Sequence, residues 1–212
     1  MSNIFMIIAI FFVTLLPCSA NGEDNKIDRI VKEIQDRYDT ITDMKGNFTQ
    51  DSYVKDLEEQ QSFSGKFFIK MPSRFKWEYM KPRNEVVIVN GSQLWIYKKA
   101  EHQVVKARFS AEAYGQAPIA LLAGMGDLTS DFTITQVEKN ILQLIPKASM
   151  GIINRILMTT NPSGFPIKSL KLFDTYENVI TVTVNDVKVN QNQKDSFFEF
   201  TPDEGTEVFE FK

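Results

Sequence analysis

The chain has 212 residues, 43% of them hydrophobic and 24% charged, which suits one domain with a real core. A net charge of -3 and a pI near 5.3 argue against a dedicated nucleic-acid binder and give no sign of a polybasic membrane-surface patch.

Residues 4–16 are almost unbroken apolar sequence without a charge. Cys18-Ser19-Ala20 follows, then the polar Asn21-Gly22-Glu23-Asp24. This pattern predicts a secretory signal peptide over 1–20, cleaved after Ala20, and a single mature domain over 21–212. Met1-Ser2-Asn3 carries no Lys or Arg, so an uncleaved anchor is the alternative, although the run is short for a membrane span. A lipidated Cys18 is a third reading, to which Pro17 is a poor fit. Cys18 is the only cysteine. Its removal with the leader excludes disulfides, thiolate nucleophiles and cysteine metal sites.

Residues 24–38 read as a helix. Ile27, Ile30, Val31, Ile34 and Tyr38 form one apolar face, and Asp28, Lys32, Glu33, Asp36 and Arg37 cover the other. From Asp43 the period falls to two. Residues 44–54 read as a strand with Gly46, Phe48 and Gln50 on one side, and residues 56–61 as a charged hairpin connection. The stretch 63–82 then reads as two strands joined at Met71-Pro72-Ser73. Phe63, Gly65, Phe67 and Ile69 alternate with Ser64, Lys66, Phe68 and Lys70; Phe75, Trp77 and Tyr79 alternate with Arg74, Lys76 and Glu78. The result is one aromatic face and one wet face, with the aromatic face serving either as core or as the wall of a greasy cavity.

A turn over 81–84 leads to a strand at 85–89. Asn90-Gly91 is the strongest hairpin signal in the chain. The next strand, 93–98, is apolar on both faces through Leu94, Trp95, Ile96 and Tyr97, so both faces need cover. A strand over 102–107 completes a meander of about six. Residues 117–124 read as a short apolar helix with Pro118 in its first turn and Gly124 at its end. It is either a buried connector or a mobile lid flanked by Gly115, Gly124 and Gly126. Strands resume over 132–137, 141–146, 155–159, 167–174, 179–187 and 197–201, with a wet loop over 185–195. The order predicts an α+β, mainly β protein: one large antiparallel sheet with helices against its concave side.

Chemistry is scarce. His102 is the only histidine and reads as an exposed turn residue, so no Ser-His-Asp set arises. No Gly-rich phosphate loop and no metal-ligand spacing occur. A carboxylate pair of the glycosidase type stays open on sequence alone. No acidic residue is expected at an inward strand position among the aromatics, however, and the reading is of a protein that is not an enzyme. Nor do aromatics and cations share a strand face as a single-strand nucleic-acid platform requires. Seventeen Phe favour a cavity for flexible hydrocarbon.

In order and spacing the chain resembles the outer-membrane lipoprotein carrier family, LolA. The residues that carry the likeness are Phe48-Thr49-Gln50, Phe63-Ser64-Gly65, Pro72 to Tyr79, Pro82, Asn90 to Tyr97, the 117–124 helix and Phe200-Thr201-Pro202. The resemblance implies an incomplete β-barrel whose hydrophobic concave face is covered by the N-terminal helix and a short central helix acting as a lid. It implies a periplasmic, monomeric carrier of lipoprotein acyl chains, without cofactor, metal or catalysis. Such a carrier is loaded by an inner-membrane ABC transporter complex and unloaded at an outer-membrane acceptor protein. The alternatives are a carrier of another lipid or glycolipid, and a non-transport sensor or adaptor. On this reading Phe48, Phe63, Phe67, Ile69, Phe75 and Trp77 line the acyl-chain cavity with Tyr79, Trp95, Ile119, Leu121 and Leu122. From the second meander Leu142, Leu144, Ile180 and Val182 join them. Met71 holds the lid or gate position, where the family usually has an Arg. Met has no donor, so the lid is expected to close by apolar contact or to serve a different cargo.

Overall fold

The structure, a computed structural model, describes residues 21–80, 82–110 and 117–211. The leader expected over 1–20 and Gly115 lie outside these residues. Helix α1 (Asn21–Asp39) buries Val31 and Ile34 and lays Ile27, Ile30 and Tyr38 on the same core. Its outer face carries the exposed Lys32–Asp36 pair, one turn apart. Its last turn is tied down by Arg37, which donates to the carbonyls of Asn161, at 2.8 Å, and of Gly164.

The first meander consists of β1 (Asp43–Val54), β2 (Glu59–Lys70), β3 (Arg74–Tyr79), β4 (Glu85–Asn90), β5 (Gln93–Lys98) and β6 (Gln103–Arg108). Two short helices follow, α2 (Ala117–Leu122) and α3 (Leu128–Asp131). The second meander is β7 (Phe132–Glu138), β8 (Ile141–Pro146), β9 (Ile153–Thr160), β10 (Ile167–Asp174) and β11 (Val179–Val189), and β12 (Glu207–Glu210) ends the chain. Among the described residues all twelve strands form one sheet, in the order β12-β6-β5-β4-β3-β2-β1-β11-β10-β9-β8-β7. The two meanders meet where β1 pairs antiparallel with β11, Phe48 standing opposite Val184. The sheet is curved and open, with β12 and β7 as its two edges.

Residues at alternate positions make one continuous inner face, and a single buried cluster runs along it from Leu94 on β5 to Leu144 on β8, closed over by α1 and α2. The pleat explains the continuity. Gly65, Phe67 and Ile69 stand opposite Tyr79, Trp77 and Phe75, so one apolar set passes from strand to strand without a break.

The structure departs from the sequence reading at four places. The hairpin connection expected over 56–61 is shorter: β1 and β2 stay paired out to Val54 and Glu59, leaving the 3-10 turn Lys55–Leu57 and Glu58 between them. Those strand ends are polar because they run past the core into water. Residues 197–201 are not a strand. Asp195–Phe198 is a 3-10 turn within a strap that crosses the outer face of the sheet. Phe198 is fully buried under this strap, Phe197 meets Phe68 at 4.8 Å, and Phe200 lies 5.6 Å from Trp95 and 5.5 Å from Tyr97. The apolar spacing there serves packing on a sheet face and not pairing. The last strand is β12, which joins β6 in parallel, the one non-antiparallel pairing in the sheet.

Trp95 is the third departure. Its register neighbours are Ile88 and Lys106 on the outer face, and its ring packs on Phe200, so it stands on the side opposite Phe75 and Trp77. The both-sided apolarity of β5 is thereby resolved: Leu94 and Ile96 join the inner cluster, while the strap covers the other side. Fourth, Glu85 falls in line with Val87 and Val89 on the inner side and is buried, an acidic residue where none was expected. Arg83 pays for its burial with a 2.8 Å ion pair.

Candidate functional site

The inner wall begins with a stack of aromatic rings. Phe48 lies 4.2 Å from Trp77 and 5.1 Å from Tyr79, Phe67 lies 5.5 Å from Trp77, and Phe63 reaches Tyr79 at 6.1 Å. Phe75 meets Phe109, just beyond β6, at 5.6 Å. Room for Phe48 comes from Gly65: a Cβ there would sit 2.6 Å from the Phe48 ring and 1.9 Å from the Glu78 carbonyl oxygen. Ile69, Leu142, Leu144 and Val182 continue the wall, fully buried, with Ile180 partly covered.

Toward the far end of β2 and β3 the wall turns polar. The Tyr79 hydroxyl donates to Gln50 Oε1 at 2.8 Å, and Gln50 Nε2 donates to Ser52 Oγ at 3.1 Å. The Arg83 guanidinium lies 4.0 Å above the Tyr79 ring while it pairs with Glu85. Burial raises the Tyr79 phenol above its usual range, with Arg83 opposing that shift. The Trp77 Nε1 is buried without a hydrogen-bond acceptor.

The cover over the second meander is α2. Ile119, Leu121 and Leu122 are all buried against the inner cluster. The helix stops at Gly124, whose φ of 66° is left-handed, and the Met125 and Gly124 amides close back onto the Ala120 and Leu121 carbonyls, each at 3.0 Å. Tyr38 of α1 donates its hydroxyl to the Leu122 carbonyl at 3.0 Å. Burial pushes that phenol well above its usual range, and Arg37 beside it acts the other way. Among the described residues, that hydrogen bond and apolar contact join α2 to α1.

Two cavities open on either side of the end of α2. One, of about 310 Å³, lies between α1 and α2; Ile34, Leu121, Met125, Met158 and Ile167 line its apolar side, and Lys32, Gln35, Asp36 and Asp39 its polar side. The other, of about 430 Å³, lies toward β7 and is lined by Ala120, Leu121, Met125, Phe132 and Met150 among others. Both volumes are in the range of small-ligand pockets. Leu121 is the only residue of the sequence-derived wall that lines them. Met125, Met150, Met158 and Ile167 were missed because they belong to no single periodic stretch. A cluster of flexible thioethers close to a short apolar helix was the available signal.

Met71 is half-buried against the inner cluster, and its amide donates to the Thr42 carbonyl at 2.9 Å. The cations that flank it face outward: Lys70 and Arg74 both pair with Asp195 of the strap. Among the described residues no group of three or more His, Cys, Asp or Glu is placed to hold a metal ion, and no helix is long and apolar enough to cross a membrane.

The profile of the family described as outer membrane lipoprotein carrier protein LolA matches residues 39–201. An outer-membrane lipoprotein carrier protein of Alkalilimnicola ehrlichii is 29% identical over 174 residues, covering 82% of this chain and 80% of its own. Another, of Nitrosomonas europaea, is 25% identical over 207 residues, covering 96% and 97%. Among solved structures, an uncharacterized conserved protein of Thermus thermophilus superposes with a TM-score of 0.53 at 12% identity, over 88% of this chain and 99% of that one, which bears on the fold alone.

Proposed function

The chain belongs to the outer membrane lipoprotein carrier family, and from that premise we propose that it holds the acyl chains of lipoproteins on its inner sheet face and ferries them across the periplasm. The observation that carries the proposal is the pair of cavities flanking Leu121 and Met125 at the end of a short lid, the one toward β7 mainly apolar and the one against α1 apolar on its inner side and rimmed by Lys32, Gln35, Asp36 and Asp39. They mark where the inner face is least tightly packed and where hydrocarbon enters first. Phe48, Phe63, Phe67, Ile69, Phe75, Trp77, Tyr79, Leu142, Leu144, Ile180 and Val182 supply the wall that widens the site once Ile119, Leu121 and Leu122 move aside. Met71 closes the end of that wall by apolar contact, where a donor side chain would make a fixed lock.

Energetics favour such a loose arrangement. Full burial of one acyl chain of about fifteen methylenes is worth on the order of 12 kcal/mol. A carrier that captured all of it from several chains would never release them. A site filled by its own side chains when empty returns part of that energy on unloading. In this reading residues 1–20 direct export, an inner-membrane ABC transporter loads the monomer, an outer-membrane acceptor unloads it, and no catalytic step is involved.

Native mass spectrometry of the chain recovered from the periplasmic fraction, mixed with a purified triacylated lipoprotein, tests the proposal. A one-to-one complex that requires intact acyl chains supports it. Binding of free lipid but not lipoprotein moves the cargo to another lipid class, and binding of neither leaves the inner face as core alone.

A further inference from the structure

On the outer face, opposite the aromatic wall, a groove of about 460 Å³ runs between the sheet and the strap, lined by Lys45, Phe68, Gln193, Lys194, Ser196 and Phe197. Register places Lys188 of β11 directly across from Lys45, and Lys66 two positions before Phe68 on the same face. The nearby Lys70, Arg74 and Lys76 have carboxylate partners in Asp195 and Glu78. Among the described residues Lys45, Lys66, Lys188 and Lys194 have none. Like charges directly opposite on paired strands destabilise a sheet. The carboxylates two residues away on these strands, Asp43 and Asp186, are engaged by Gln191, Asn192 and Gln193 and by Asn47, and neither forms an ion pair with Lys45 or Lys188.

The floor of the groove is apolar. Phe197 is 39% exposed and leans on Phe68 at 4.8 Å, with the Lys76 ammonium 4.2 Å from its ring centroid. Unpaired cations around a recessed aromatic floor match a chain of carboxylates carrying one apolar side chain. A bilayer is a worse match. Phe197 lies back against Phe68 and does not project as a wedge, and a flat surface would meet only the rim lysines.

We propose that this groove docks an acidic polypeptide segment, with its carboxylates on Lys45, Lys66, Lys188 and Lys194 and one aromatic or branched side chain on Phe68 and Phe197. The site is on the face away from the acyl-chain wall, so it engages a partner whether or not cargo is loaded, and it stands independently of the carrier reading.

Fluorescence anisotropy with the whole chain tests it. The probe is a labelled short peptide of glutamates with one central phenylalanine. Saturable binding is expected, weakening steeply with salt. The double variant Lys45→Glu/Lys188→Glu should lose about tenfold in affinity, and the loop variant Lys194→Glu and Phe197→Ser several-fold each. Lys139→Glu, in the remote β7–β8 turn, should bind as the wild type does. A glutamate peptide lacking the phenylalanine should bind several-fold more weakly. Near-UV circular dichroism checks that each variant is folded. Binding that is undetectable, or equal in the wild type and in the folded charge reversals, overturns the proposal. So does capture of phosphatidylglycerol vesicles by the same lysines when the peptide is not captured.

Discussion

The Tyr38 hydroxyl and the Leu122 carbonyl stand 3.0 Å apart, so the buried face of the N-terminal helix holds the end of the short helix that roofs the sheet. A single neutral hydrogen bond contributes about 1 kcal/mol net. Tyr38→Phe keeps the ring and removes only that bond. It should lower the melting temperature slightly and, on the proposed movement of α2, raise binding of a hydrophobic fluorescent dye several-fold. Equal dye binding by both proteins would mean that the bond does not gate the site. Gly124→Ala acts on the same joint more severely. The added Cβ would lie 2.6 Å from Tyr38 Cδ1, at a φ of 66° that suits glycine.

The two tryptophans stand on opposite faces of the sheet, Trp77 inside and Trp95 outside. A brominated acyl chain bound on the inner wall should quench the emission of a Trp95→Phe variant, which reports Trp77. It should leave a Trp77→Phe variant, which reports Trp95, nearly unchanged. Steady-state fluorescence during titration reads this directly, and the reverse ranking would put the hydrocarbon on the wrong side.

Gly65→Ala should be among the most damaging small substitutions in the chain. The new methyl would meet the Glu78 carbonyl oxygen at 1.9 Å and the Phe48 ring at 2.6 Å, so either the β2–β3 pairing or the aromatic stack must shift. Overpacking of this kind costs about 3 kcal/mol. Urea denaturation should show a much lower midpoint, whereas Ser64→Ala, one residue away on the other face, should leave it nearly in place.

Asp43 anchors the start of the strap. Burial works to raise its pKa, but bonds from the Gln191 amide, the Gln193 side chain and the Asn192 amide outweigh that and hold its carboxyl below the usual range. A depressed folded-state pKa means stabilisation that is complete above the ordinary carboxylate pKa, about 3.9, and lost as pH falls through the folded-state value. Asp43→Asn should therefore melt below the wild type at pH 7, and the gap should shrink as the pH falls below about 4. A gap independent of pH would trace the loss to packing.

Much of this architecture was legible in residue order because it rests on local alternation. Phe63 to Tyr79 repeats every second residue, and Ile27 to Tyr38 every third or fourth, so the inner wall and the helix face could be read directly. The rest depends on juxtapositions that no window of sequence contains. Trp95 looked like wall because β5 is apolar on both sides, and only the strap from the far end of the chain decides which side is which. Phe197 and Phe200 looked like strand residues because packing across a sheet face also favours closely spaced aromatics. The lysine-rimmed groove draws on β1, β2, β11 and the strap.

That β7 and β12 end the sheet as free edges has a mechanical consequence. In a closed barrel, strand number and stagger set the girth, and the lumen cannot swell without breaking ladder bonds. Here the two ends of the sheet are not bonded to each other. Curvature can relax by small changes of twist spread over eleven strand junctions, each keeping its register. The circumference thus becomes a soft coordinate, free to widen or narrow at nearly constant hydrogen bonding.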